Sequence, residues 1–320
     1  MKNKPIIIIA GEPYSIFSEI LFKSLDKNKF KNPIIIIGSY KLIKKQMKYL
    51  NYKQHFNLIN LQNLDFNRMN NKKINIININ FKFKKTFDKI SDKSNFYIKR
   101  SFEVAFKIIK KHKIAGLING PISKKNFLKK KFLGITEYIA AEFRIKDYAM
   151  LIYNSNISVC PVTTHLPLKK VSNKISKKLI INKVNLIKNF YKTKFNLNPS
   201  IAVTGLNPHC ESNYKDSEEK KIITPAISEL IKNTNISGPY AADSIFMKSN
   251  RRKFDVILGM YHDQVLTPMK TIYEFNAINI TLGLPFIRIS PDHGPNEKMQ
   301  GKNISNHQSL IFAIKFLDQE

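Results

Sequence analysis

Cysteine is nearly missing from this chain. Two residues in 320 make no disulfide framework, which excludes the small stapled folds of secreted domains. Long apolar runs are missing as well. Segments such as Ile6–Ala10 and Ile34–Ile37 stop at four or five residues, where a membrane-spanning helix needs about 20. The stretch Met1–Pro5 leads straight into a strand-like run without the apolar region of a signal peptide. The expectation is a reduced, cytoplasmic protein with no membrane partner. Glycine is sparse: eleven residues, no two of them in G-x-G spacing, and neither G-x-x-x-x-G-K-[ST] nor G-x-S-x-G occurs. These absences exclude a Rossmann fingerprint, a kinase-type loop, a P-loop and an ordinary α/β-hydrolase elbow. Any nucleotide must be bound in another way.

Arginine is scarce too, with 6 Arg against 48 Lys in a chain of net charge +31. Nucleic-acid readers gather Arg and Lys on one face and interleave aromatics. Here the lysines are scattered over what should be the polar faces of helices, so no specific nucleic-acid partner is expected. Such a field would still attract phosphorylated small molecules and cause salt-sensitive, non-specific binding. The lysine bias also provides a contrast. Between Phe254 and Glu297 there is one lysine, Lys270, and the only other cation is Arg288. A segment that resists a bias felt elsewhere is either buried or chemically constrained.

Short apolar runs alternate with longer helix-like segments, the pattern of a largely parallel α/β sheet. Strands are expected at 5–10, 33–38, 74–79, 114–119, 150–153, 158–162, 201–205, 255–260, 278–282 and 286–289. Helices are expected at 15–25, 42–50, 95–111, 136–144, 172–190, 217–232 and 305–316. The stripe Phe102, Ala105, Phe106, Ile109 reads as the core face of one of these helices. The Lys124–Lys131 run reads as a solvated face or connector.

Three of the seven histidines share a context. His165, His209 and His262 each follow an apolar run, in Val159-Cys-Pro-Val-Thr-Thr-His165, Ile201-Ala-Val-Thr-Gly-Leu-Asn-Pro-His209 and Asp255-Val-Ile-Leu-Gly-Met-Tyr-His262. In a parallel sheet such carboxyl ends converge where ligands bind. Brought together, three imidazoles make a divalent-metal site with positions left open; taken singly, each reads better as a hydrogen-bonded loop histidine. Cys160 and Cys210 lie close by and read as small buried hydrophobes rather than ligands. Asp263 follows His262, and Asp243 lies in Tyr240-Ala-Ala-Asp-Ser244. Carboxylates so placed orient metal ligands or move protons, although an exposed helix cap would also explain Asp243. Lys270 and Arg288 suit an anionic substrate; a surface salt-bridge role is the alternative.

Taken together, Asn119-Gly-Pro-Ile122, Thr163-Thr-His-Leu-Pro-Leu168, Gly205-Leu-Asn-Pro-His209, Met260-Tyr-His-Asp-Gln264, Asn279-Ile-Thr-Leu-Gly-Leu-Pro-Phe-Ile-Arg288 and Asp292-His-Gly294 resemble the 4-hydroxythreonine-4-phosphate dehydrogenase family of pyridoxal phosphate biosynthesis. The resemblance runs over nearly the whole chain. It implies an isocitrate/isopropylmalate-dehydrogenase-like fold, two α/β/α lobes with the active site in the cleft between them, and a homodimer that shares that site. The first lobe is expected at 1–125 plus 296–320, the second at 126–295. The likeness further implies that His165, His209 and His262 hold a divalent metal (zinc, magnesium or cobalt), one of them supplied by the partner subunit. It makes Thr136, Lys270, Asn279 and Arg288 the contacts to a small phosphorylated substrate. Asp243, Asp263 and Lys270 are the catalytic candidates. NAD would be the hydride acceptor, bound without a Rossmann motif.

Two places depart from the family pattern. Where the family has Gly-His-Thr-Glu, this chain has Gly134-Ile-Thr-Glu137, and the family's glycine-containing loop appears as Gly11-Glu-Pro-Tyr-Ser-Ile-Phe17. Alternatives are therefore a sister dehydrogenase for erythronate or threonate 4-phosphate, or a phosphate acyltransferase of the same broad fold.

Overall fold

A computed structural model of the chain describes residues 4–26, 28–128, 131–132, 134–210, 214–291 and 293–319. Its twelve strands among these are β1 (Ile6–Ile9), β2 (Ile34–Gly38), β3 (Phe56–Leu58), β4 (Ile74–Asn78), β5 (Gly116–Asn119), β6 (Ala149–Tyr153), β7 (Ser158–Thr163), β8 (Ile201–Thr204), β9 (Ile236–Tyr240), β10 (Val256–Tyr261), β11 (Ile278–Leu282) and β12 (Arg288–Ser290). The chain divides into two compact units, 1–139 with 285–320 and 140–284.

In the first unit the strand order is β3-β4-β2-β1-β5-β12, and every pair is parallel. A parallel strand covered by helices on both faces is apolar throughout rather than alternating. That is why β1 is four isoleucines, each fully buried. The helix Asn95–Lys111 spans the residues its periodicity predicts and buries Tyr97, Ile98, Phe102, Ala105 and Phe106.

The second unit has the order β11-β6-β7-β10-β8-β9. β7, β10, β8 and β9 are parallel, while β6 runs antiparallel to both β7 and β11. Met150, Ile152, Val159, Ala202, Ile257, Val265 and Met269 form part of its core. Among the described residues no helix is long and apolar enough to cross a membrane.

The unit boundaries differ from those expected from sequence, at 125/126 and 295/296. Residues 126–139 and 285–295 belong with the first unit because their side chains pack there. Tyr138 sits edge-on to Phe102 and to Phe127, with centroids 5.4 Å apart in each case. Arg288 reaches Asn119 and Thr136. Thr136 and Arg288 therefore lie in the first unit, Lys270 and Asn279 in the second.

Besides a few single-turn helices, two strands and one longer helix are not expected from sequence. β3 is only three residues long. β9 contains Gly238-Pro239, a turn signal tolerated because β9 pairs only with β8 and lies at an edge. The helix His262–Tyr273 contains Pro268, which ordinarily reads as a break. One helix also starts later than expected, at Lys177 instead of 172. Its true cap is Ser176, whose side chain accepts from the Leu179 amide, and it ends on left-handed Asn196.

Candidate active site

The three strands that lead into the candidate histidines lie side by side and parallel, with β10 between β7 and β8. His165 comes two residues after β7, His209 five after β8, and His262 opens the helix that follows β10. His165, His209 and Cys210 have φ values of 54°, 59° and 57°. That left-handed region costs a residue with a side chain on the order of 1–3 kcal/mol, and such strain collects at functional turns.

The imidazoles of His165 and His262 face each other at 5.8 Å between centroids, tilted by 38°. Nδ1 of His262 lies 2.7 Å from Oδ1 of Asp263. A carboxylate there accepts a hydrogen bond from Nδ1–H and so favours the tautomer whose Nε2 carries the lone pair. His209 stands apart from this pair, its Nε2 3.8 Å from Oδ2 of Asp243. The sequence reading gathered three histidines; the structure brings two together and sets the third beside a carboxylate. Among the described residues no cluster of three or more His, Cys, Asp or Glu is arranged around a metal position.

The His165–His262 pair nevertheless suits an ion. With nitrogen about 2.0–2.1 Å from zinc, two imidazoles on one ion have ring centres up to roughly 6.5 Å apart. Both Asp243 and Asp263 accompany a histidine, as orienting groups should. Cys160 does not join them, since burial pushes its thiol up to about 12. A protonated, fully buried thiol is a small hydrophobe.

Two residues that the sequence did not single out organise these strand ends. Gln264 bonds to Thr204, Met260 and Gly205. Glu219, only 3% exposed, accepts from Leu206 and Asn207. Neither had a legible signal, because each acts on backbone brought close only by folding.

Lys270 lies two turns beyond His262 on the same helix and is half-buried; burial lowers its ammonium pKa. Asn279 sits on β11 opposite Ile152, with a buried Oδ1 that has no hydrogen-bond partner. In the first unit, Arg288 is 2% exposed. Its Nε donates to Oδ1 of Asn119 at 2.8 Å, and one terminal nitrogen donates to Oγ1 of Thr136 at 3.1 Å. Burial pulls the guanidinium down to about 10, Glu137 opposing, so it stays charged at neutral pH. Asn119 is thus a second residue of this corner that sequence left without a role. Ile135, beside Thr136, is itself buried. Asp292 lies outside the described residues.

Strand order in the first unit reverses at β1, which pairs with β2 on one side and β5 on the other. The loops leaving β1 and β5 touch there. A Cβ on Gly11 would lie 2.4 Å from the Pro121 carbonyl oxygen, and one on Gly120 would lie 2.4 Å from that of Ala10. Glu12 is buried in this contact at 1% exposure, neither carboxyl oxygen having a hydrogen bond of ordinary geometry. Burial raises its pKa to about 7, only partly offset by nearby Ser94 and Ser123.

A family model described as "Pyridoxal phosphate biosynthetic protein PdxA" matches residues 29–317. A 4-hydroxythreonine-4-phosphate dehydrogenase of Sulfurihydrogenibium sp. is 38% identical over 97% of this chain and 96% of its own length. One from Aquifex aeolicus is 34% identical over 99% of this chain and 98% of its own. Among solved structures, the crystal structure of 4-hydroxythreonine-4-phosphate dehydrogenase from Klebsiella pneumoniae superposes with a TM-score of 0.85 at 25% identity, covering 99% of each chain.

Proposed function

The chain belongs to the family of the pyridoxal phosphate biosynthetic protein PdxA, and from that premise we propose that it is a 4-hydroxythreonine-4-phosphate dehydrogenase dependent on NAD and a divalent metal. The reaction is oxidation at the carbon bearing the secondary hydroxyl of 4-phosphohydroxy-L-threonine. Loss of carbon dioxide from the resulting β-keto acid gives 3-amino-2-oxopropyl phosphate. The observation that carries this reading is the facing pair His165 and His262, with Asp263 fixing the tautomer of His262.

His165, His209 and His262 are the proposed ligands of the metal. A bound zinc, magnesium or cobalt ion would supply Lewis-acid polarisation of the substrate oxygen, and NAD would take the hydride. Asp263 holds the imidazole of His262, and Asp243 lies beside that of His209. Lys270, whose ammonium releases its proton more readily than an exposed lysine, is suited to move the hydroxyl proton. Thr136, Lys270, Asn279 and Arg288 are the proposed substrate contacts, Arg288 as a fixed cation for the anionic end. A cytoplasmic homodimer sharing its active site belongs to the same reading.

A second reading, a sister dehydrogenase for erythronate or threonate 4-phosphate, draws on Ile135. This buried hydrocarbon stands where the family has an imidazole. One assay separates the two: NADH formation across a panel of phosphorylated hydroxy acids, with and without divalent metal. We expect turnover of 4-phosphohydroxy-L-threonine that disappears on chelation and in His262→Ala. Full activity after chelation would overturn the metal assignment.

A further inference from the structure

The loop that presents His209 is held from two sides by residues outside the proposed chemistry. Glu219 lies below it. One carboxylate oxygen, Oε1, accepts the backbone N–H groups of both Leu206 and Asn207 at 2.8 Å. The other, Oε2, accepts the Asn207 side-chain amide at 2.9 Å. Burial alone would raise this acid's pKa, yet the amide bonds hold it below the usual carboxylate range. Gly205 makes the approach possible: a Cβ there would come within 3.0 Å of Oε1 of Glu219 and 2.6 Å of Sγ of Cys210.

Gln264 grips the same loop from the opposite strand end. It lies two residues beyond His262. Its Oε1 accepts from the Met260 amide at 2.7 Å and from Oγ1 of Thr204 at 2.8 Å. Its Nε2 donates to the Gly205 carbonyl at 2.7 Å. A single side chain thus joins the end of β10, which carries His262, to the end of β8, which leads to His209. Two residues beyond these anchors the chain enters the left-handed region at His209 and Cys210. Such a conformation persists only where surrounding bonds enforce it.

We infer that Glu219 and Gln264 are positioning residues that hold the strained His209 turn at the end of β8 and tie it to the end of β10, where the His262 helix begins. The inference rests on the metal reading above. Without the two clamps the turn would relax to ordinary φ, and His209 would be displaced from its place relative to β10. Outer residues that orient metal ligands typically account for 10–100-fold in metal affinity.

The test titrates the purified full-length chain with cobalt(II) alone, followed by calorimetry and by the visible absorption of the bound ion, in Glu219→Gln, Gln264→Leu and His209→Ala. Glu219→Gln keeps the side-chain shape but puts a neutral amide in place of the carboxylate that accepts all three donors, weakening the bonds at Oε1 and turning a donor toward Asn207. Its fold should survive, as circular dichroism would show, so that variant decides the matter if Gln264→Leu does not fold. We expect His209→Ala to lose at least a hundredfold in affinity. Glu219→Gln and Gln264→Leu should each lose about tenfold with an altered cobalt spectrum and unchanged secondary structure. If His209→Ala fails as expected while both others bind cobalt as the wild type does, the positioning role is wrong and the metal reading stands. If His209→Ala binds normally, both fall.

Discussion

Replacing Glu12 by Gln should abolish a pH dependence of stability that this one buried group imposes on the fold. The carboxyl is 1% exposed and lacks hydrogen bonds of ordinary geometry, and Glu297 adds a like charge. Its pKa rises from 4.5 to about 7. In the unfolded chain Glu12 releases its proton near pH 4.5, while the folded protein keeps it until about pH 7. Over that window the native state binds more protons, so stability falls as pH rises. At about 1.4 kcal/mol per pKa unit the whole loss is close to 3.4 kcal/mol, of which roughly 2.5 falls between pH 5 and pH 8. Glutamine has nearly the same shape and no charge to bury. Whatever its extra N–H groups cost does not vary with pH and drops out of the slope. Urea unfolding followed by circular dichroism, for wild type and Glu12→Gln at half-unit steps from pH 5 to pH 8, measures the effect. The difference in stability should swing in favour of the variant by about 2.5 kcal/mol across that range. Parallel profiles would show that Glu12 ionises as easily in the fold as in the open chain, and the argument from burial would fail.

Ile135→His should lower KM for 4-phosphohydroxy-L-threonine by one to two decades, with a smaller change in kcat. A hydrogen bond to a charged group is worth about 1.5–3 kcal/mol, and steady-state kinetics on both enzymes read the split. An unchanged KM would remove Ile135 from the substrate's surroundings. Despite the net charge of +31, DNA and RNA should bind only at low salt and without sequence preference. A competition titration at physiological salt that found one tightly preferred sequence would contradict this.

Much of this architecture was legible because the same residues carry local and global information. Ile6–Ile9 and Ile34–Ile37 read as buried parallel strands since they have no polar face to show water. The three histidines were legible through position, each just past such a strand. What the sequence could not convey was distance across the sheet. His165 and His262 stand at adjoining strand ends, but His209 lies on a longer loop that turns it toward Asp243, and no periodicity encodes that turn. Pro268 hid a helix and Gly238-Pro239 hid a strand, because tertiary packing overrode the local signal in both. The compact units divide at other positions than the expected lobes for a related reason. The affinity of Tyr138 for Phe102, or of Arg288 for Asn119, spans more than thirty residues in one case and 169 in the other, invisible to any local window.

The division of the first unit between the two ends of the sequence bears on how the protein is made. β5 gains its neighbour β12 only after the second unit has been synthesised. The last helix, Gln308–Asp318, closes the same region. Leu317 packs where a Cβ on Gly116 would lie 2.5 Å away, and Asp318 accepts from the amides of Lys31 and Asn32. At about 5–20 residues per second, translation from residue 140 through that helix takes roughly ten to forty seconds. Throughout that interval the isoleucine-rich amino-terminal strands lack both their final strand and their covering helix. The uninterrupted stretch 140–284 faces no such wait. The first unit therefore closes only after 140–284 has been made, and until then β5 keeps one edge without its strand partner.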